Sequence, residues 1–480
     1  MQPNPVQRWE WHFGGVIAPL AGGLALAGLR ERHYPSELWE APGMKGQYQP
    51  NSISLIGGIS MGTGVMIGAG IFALTGQIAQ LAGPWFPLSF LARAVITGFS
   101  AYTYVKMTNA YPSAGGIAMI LQKAYGPGAI AAALSLLMAF SMVISESLVA
   151  RTFGSYLLRL FGAGDDSFLV PTLGVALILT AYAVNVSGNR SVGFFSFLMA
   201  MIKVGGIALF GLAALWAGGF GFQAGSGSAD VPAAGFMASV ALSILAFKGF
   251  TTITNSGAEI VDPHRNVGRA IMFSIAICAV LYLLVAFAVG ASLSLGEIVA
   301  ARDYSLARAA EPAFGPYGVY FTVAVAIVAT ASGVLASIFA VSRMLAMPTD
   351  MGLIPHRHFG MPGPIQAHTL VYTVVTASLL TVLFDLGRIA ALGAFFYLVM
   401  DMLIHWGVWR RLRSEIGAQG WILLTAIALD ALVLGAFGVA KLRSDPWIVA
   451  ISIICIVAVL GFERVYLSGW TSGDRESHDD

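Results

Sequence analysis

Charge is scarce in this 480-residue chain: Asp, Glu, Lys and Arg together make up 10% of it, against 57% hydrophobic residues. A soluble domain carries roughly 25% charged residues, so a water-facing globular surface is excluded and an integral membrane protein is expected. Cysteine is nearly absent as well. Cys278 and Cys455 both lie in apolar runs and are too few for a disulfide framework. The net charge of +2, spread over scattered basic residues, leaves no footprint for nucleic acid. No GKS or GKT phosphate loop occurs, which argues against direct ATP drive. Nothing in the chain calls for a cofactor.

Long apolar segments are what the chain does have. A membrane-crossing helix needs about 20 mostly apolar residues, and twelve such windows can be placed, from one centred near Ile67 to one near Ile454. The predicted fold class is therefore an all-α integral membrane protein with twelve transmembrane helices. Lys and Arg are retained on the cytoplasmic side. If the first span runs outward, Arg159, Arg302, Arg308, Arg388, Lys441 and Arg443 fall outside, while the larger share of basic residues, those of both termini included, falls inside. This predicts a multi-pass protein of an inner or plasma membrane with both termini cytoplasmic. Gly14 to Leu29 is apolar but short for a span. It reads as an interfacial or re-entrant helix within an N-terminal segment, 1–51, with an extra span or a cleaved signal as the alternatives. The acidic tail, 468–480, reads as a solvated end.

From Ser52 to Ala82 the chain has no charged residue, yet it places Gly62, Gly64, Gly68, Gly70 and Gly76 at membrane depth. Glycine is about 1 kcal/mol worse than alanine in a helix, and a freed backbone group is tolerated there only against protein, water or a ligand. A second interruption falls in the sixth span, at Lys248 and Gly249, with Thr251, Thr252 and Thr254 after it. With spans one to five (52–219) and six to ten (220–413) taken as two halves, followed by spans eleven and twelve (414–467), the interruptions open each half. Broken helices at matching places in inverted repeats point to a transport site near the midplane.

Four ordered motifs carry a resemblance. GTGVMIGAGIFALTG with LAGPWFPLSFL, then YPSAGGIAMILQKAYGP, AFKGFTTITNSGAEIVDPHRNVGRAI and ASGVLASIFAVSRMLAMPTDMGLIP resemble the permeases of the amino acid–polyamine–organocation (APC) superfamily, over roughly Ser52 to Arg413. The resemblance implies a five-plus-five inverted repeat with discontinuous first and sixth spans and alternating access between them. It implies that Gly68, Ala69 and Gly70 unwind the first span so that its amides hold a carboxylate. The carbonyl of Ile67 then accepts from an ammonium, Gly249 acts likewise from the sixth span, and Phe247 stands in the place of an aromatic gate. Close helix packing is the competing use of these glycines. Lys203 matches a fifth-span lysine of sodium-independent members, where the ammonium is similar in role to a sodium ion; a buried lysine can also cycle a proton, and a lysine fixed permanently by carbonyls is the alternative.

The chain departs from the family pattern at Lys106, where a glutamate is common, and at Lys248 beside Gly249, with Thr251 where an aspartate often sits. Glu259 and Arg269 remain at their motif positions, so a Lys106 to Glu259 pair is expected at a cytoplasmic gate. Arg93, Lys203 and Lys248 against Glu146 give a surplus of positive groups at mid-depth, which favours an anionic substrate group over a polyamine. Asp401 and His405, four apart on one helical face, and Asp430 suggest a structural hydrogen bond more than a relay or a metal site. His356, His358 and His368 show no ligand spacing.

The expected function is secondary active transport of amino acids or related small carboxylates, sodium-independent, as a proton-coupled carrier or an exchanger. The alternative is a potassium or other ion permease on the same scaffold, although no filter motif is repeated. An intramembrane enzyme built on Asp401, His405 and Asp430 lacks a converging nucleophile or metal set. The partners are then a small-molecule substrate and the lipid bilayer, with a homodimer left open.

Overall fold

The computed structural model describes residues 50–113, 115–126, 128–162, 168–186, 192–225, 231–350 and 365–473, all within one compact unit, Ala41–Asp480. The Gly14 to Leu29 segment, His356, His358 and the acidic tail from 474 onward lie outside the described residues. The described chain is helical, and its β-like contact is an isolated parallel bridge between Ile53 and Ile260. There the Ile53 amide donates to the Glu259 carbonyl and the Val261 amide to the Ile53 carbonyl, both at 2.9 Å.

In chain order the helices are α1 (Leu55–Ala69), α2 (Ile71–Ala82), α3 (Phe86–Ala110), α4 (Gly116–Tyr125), α5 (Ala129–Arg159), α6 (Leu169–Val186) and α7 (Val192–Ala217). Then follow α8 (Ala233–Leu242), α9 (Ile244–Phe247), α10 (Thr251–Thr254), α11 (Pro263–Ser292), α12 (Leu295–Ala300), α13 (Ser305–Asp350), α14 (Ile365–Leu383), α15 (Leu386–Arg411), α16 (Gly420–Ser444) and α17 (Pro446–Gly473). Local chemistry sets several of the ends. Gly83, at φ 55°, makes the turn from α2 towards α3, a conformation that strains a residue with a Cβ. Pro263 opens α11 at a position where its missing amide is no loss. Gly315, at φ 61° and ψ −153°, kinks α13 near its start.

Among the described residues nine helices are each long and apolar enough to cross a membrane, and a tenth crossing is a pair bent by 50° at the end of α1. The stretch His368–Leu383 is a shorter apolar helix. The hydropathy count of twelve is higher because it gives α3 and α14 spans of their own. Burial separates the layers: 89% of the most apolar window of α5 is buried, against 22% of that of α17. On α17, Ile453, Ile454 and Val457 are exposed. Apolar side chains turned outward are what a helix bordered by lipid tails requires. The central helices pack tightly, α5 against α13 and α15, and α1 against α11, α13 and α7.

Candidate functional site where two interrupted helices meet

The glycine-rich first span breaks at one residue. Gly70 separates α1 from α2 at φ −82° and ψ −65°, still in the right-handed helical region. Its amide bonds the Met66 carbonyl at 3.0 Å, and the Leu74 amide bonds its carbonyl at 3.1 Å. The unwinding expected across Gly68, Ala69 and Gly70 is therefore confined to a bend at Gly70, while Ile67, Gly68 and Ala69 stay helical. Packing explains the difference. A methyl group on Gly68 would lie 2.9 Å from the Ala329 carbonyl oxygen and 3.1 Å from the Gly333 Cα, so α1 is clamped against α13 at that point.

The sixth span is interrupted by tightening. Between α9 and α10, residues Lys248–Phe250 form a single 3₁₀ turn; Thr251 Oγ1 donates to the Lys248 carbonyl of the turn at 2.8 Å, and Thr254 Oγ1 to the Thr251 carbonyl of α10 at 2.6 Å. The two interruptions face each other at near-contact distance. A methyl on Gly70 would sit 2.5 Å from the Ala246 Cα, and one on Gly249 would sit 2.6 Å from the Met66 nitrogen. Both glycines thus serve close packing as well as the breaks. Beside this crossing lies a cavity bounded by α1, α5, the Lys248 turn and α13, with Val65, Ser145, Lys248, Gly249, Thr252 and Ser337 among its lining residues. Among the described side chains of span one, Val65 reaches it, and Ile67, Gly68 and Gly70 do not. Phe247 turns away from it and meets Tyr282 edge to face at 5.1 Å, and Tyr282 donates to the Ala246 carbonyl at 2.9 Å.

Charges around the cavity are held by specific partners. Lys248 Nζ donates to the Ser141 carbonyl at 2.7 Å and to its hydroxyl at 3.2 Å, so this side chain points into the bundle instead of snorkelling. Its ammonium lies 5.6 Å from the centre of the Tyr397 ring. Glu146 is fully buried and accepts a 3.0 Å hydrogen bond from Ser337, while its Oε2 has no hydrogen-bond partner. Outside the cavity lining, Lys203 Nζ donates to the Gly64 carbonyl at 2.7 Å. Burying an ion in such surroundings carries a penalty of several kcal/mol unless it is paired and hydrogen-bonded. Ser337, Ser141 and Tyr397 carry no signal that stands out in a single sequence, because small polar residues and tyrosines are ordinary in membrane helices.

Arg93 does not join this group. Its guanidinium lies 3.1 Å from Asp430 and 3.2 Å from the Thr97 hydroxyl. That corrects the mid-depth tally, in which Arg93 counted towards a positive surplus near the substrate: a carboxylate of α16 offsets it. Asp401 meanwhile accepts from Ser100 at 2.7 Å and Tyr104 at 2.6 Å. His405 Nε2 is 3.5 Å from Asp401 and 4.0 Å from Asp430, and neither ring nitrogen has a hydrogen-bond partner. Asp401 is thus held by hydrogen bonds from α3, and the His405 ring lies between the two carboxylates without one. Towards the other end of α3, Lys106 Nζ lies 5.8 Å from the Tyr102 ring centre. Glu259 is buried beside the Ile53 bridge and Arg269 is exposed on α11.

The family model for amino acid permeases matches residues 53–467. The inner membrane transport protein YbaT of Escherichia coli is similar at 28% identity, over 85% of this chain and 95% of that protein. An uncharacterized protein of Methanocaldococcus jannaschii is 29% identical over 86% of this chain and 95% of its own length. A vacuolar cationic amino acid transporter 4 of Arabidopsis thaliana is 26% identical over 80% of this chain and 63% of that protein. The homologues with a named role are transporters, and transport across a membrane, not catalysis, is what their likeness supports. The chain belongs to the amino acid permease family, within the APC superfamily of integral membrane transporters.

Proposed function

We propose that this permease is a sodium-independent secondary transporter of amino acids or related small carboxylates, working by alternating access around the crossing of its first and sixth spans. The observation that carries the reading is the near contact of Gly70 with Ala246 and of Gly249 with Met66, beside a cavity lined by Lys248 and Gly249. In this reading the N-terminal end of α2, closed off by Ala246 in this conformation, meets a substrate carboxylate when the two spans part. The tightened turn at Lys248 offers carbonyls and an ammonium from the opposite side. Lys203, bonded to the Gly64 carbonyl, takes the place of a bound cation, so that proton coupling or exchange replaces a sodium gradient. In this reading the chain has twelve spans, the first ten as two inverted halves, with both termini in the cytoplasm.

A thermal-shift screen of the purified protein tests the proposal. A ligand at 100 times its dissociation constant stabilises by about 2.7 kcal/mol. The expected result is that an amino acid or small carboxylate raises the midpoint, and that Lys248→Met and Gly70→Val each remove the shift. Stabilisation by potassium alone, with no response to any carboxylate, overturns it in favour of an ion permease.

A further inference from the structure

The buried charges shared by α3, α15 and α16 have no part in the cavity just described. We propose that Asp401, His405 and Asp430, together with Arg93, form a binding site for a single proton, separate from the substrate cavity and facing it through Tyr397. The four side chains are almost wholly buried, at 0–1% exposure. Two carboxylates and one guanidinium leave a formal charge of −1 when His405 is neutral, and a residual charge at membrane depth is costly. One proton on His405 brings the cluster to zero.

Geometry places that proton. Asp430 Oδ1 is engaged with Arg93 at 3.1 Å, and Asp401 accepts from both Ser100 and Tyr104. Asp430 Oδ2 and both His405 nitrogens have no hydrogen-bond partner, although Nε2 lies between the two carboxylates. An N–H formed at Nε2 by a proton from the aqueous phase finds an acceptor on either side. The groups that face the imidazole are Asp401 on its own helix, Asp430 on α16, and Arg93 and Tyr104 on α3. A divalent metal fits less well, although one ligand atom from each of Asp401, His405 and Asp430 lies within 4.8 Å of the others. It would bring the cluster to +1 and press against a guanidinium already seated on Asp430. Tyr397 joins the site to the cavity: it precedes Asp401 by four residues, on the same face of α15, and its ring lies 5.6 Å from Lys248 Nζ.

The test is a proton-uptake titration of the purified, weakly buffered protein with an indicator dye, which needs no substrate and so stands or falls apart from the transport reading. Between about pH 8 and 5, the window in which histidine changes charge, the unaltered protein should take up about one more proton per molecule than His405→Gln. Asp430→Asn, whose cluster is neutral without the proton, should shift that uptake to lower pH by about one unit or more. This second variant carries the test if His405→Gln fails to fold. Superimposable curves for the unaltered protein and the folded variants overturn the proposal. A zinc-induced rise in thermal midpoint that Asp401→Asn abolishes also overturns it, in favour of a metal site.

Discussion

Lys203 brings an ammonium to within 2.7 Å of the Gly64 carbonyl in a place closed to water, and a hydrogen bond to a charged group in such a setting contributes roughly 1.5–3 kcal/mol. Lys203→Met should therefore lower the thermal midpoint in detergent even without substrate; an unchanged midpoint would mean that the lysine holds nothing in this conformation. Arg93 makes a sharper case. Removing one member of a buried ion pair costs roughly 3–5 kcal/mol, whereas replacing both with apolar side chains is often neutral. Arg93→Met alone should destabilise severely, and Arg93→Met combined with Asp430→Leu should recover most of the loss, both read from thermal midpoints. Residues such as Lys203, Lys248 and Glu146 were legible in the sequence because a charge in an apolar run is expensive and conspicuous. The partner of Arg93 was not, since 337 positions separate it from Asp430 and only the packing of α3 on α16 joins them. Ser337 was equally hidden, although it makes the hydrogen bond that orients Glu146.

Among the elements, the crossing of α1 with the Lys248 turn tolerates no added atom. Overpacking of this kind typically costs about 1–3 kcal/mol, and Gly249→Ala puts a methyl 2.6 Å from the Met66 nitrogen. Its expected outcome is a lowered thermal midpoint by about that energy, and an unaltered one would show that the helices separate freely. The glycine pattern announced both interruptions; it did not say that the first would be a bend at Gly70 and the second a tightened turn. That choice depends on neighbours, Ala329 and Gly333 on one side and Ala246 on the other. The short helix α12 shows a local rule acting alone. Ser294 and Glu297 cap it reciprocally, and the Ser294 amide and hydroxyl, helped by Arg308, hold the Glu297 carboxyl below its ordinary range. A carboxyl with a lowered folded pKa contributes stability above its unfolded value and loses it as pH falls through the folded one. Relative to the intrinsic amide rate at each pH, hydrogen exchange across α12 should accelerate in acid below about pH 4. Ser294→Ala should accelerate it at neutral pH, for a loss of about 1 kcal/mol. Exchange that is indifferent to both would mean that packing, not the cap, holds this helix.

For the whole molecule, the bilayer imposes most of what the sequence reveals. Apolar length marks the helices, and lipid-facing side chains such as Ile453 and Ile454 on α17 require no partner. What hydropathy leaves blank is which helices are central, because α5 and α17 are both apolar and differ chiefly in what surrounds them. Basic residues concentrated on one side predict that reporters fused at the N- and C-termini both sit in the cytoplasm. A periplasmic or external signal from either reporter would reverse the proposed orientation. The bridge at Ile53 bears on how such a molecule moves. Two backbone hydrogen bonds stitch the chain entering α1 to the chain leaving α10, so the two broken helices share a pivot at that end. Neither can swing as an independent lever: a stroke that tilts one must carry the other with it or unfasten that stitch first.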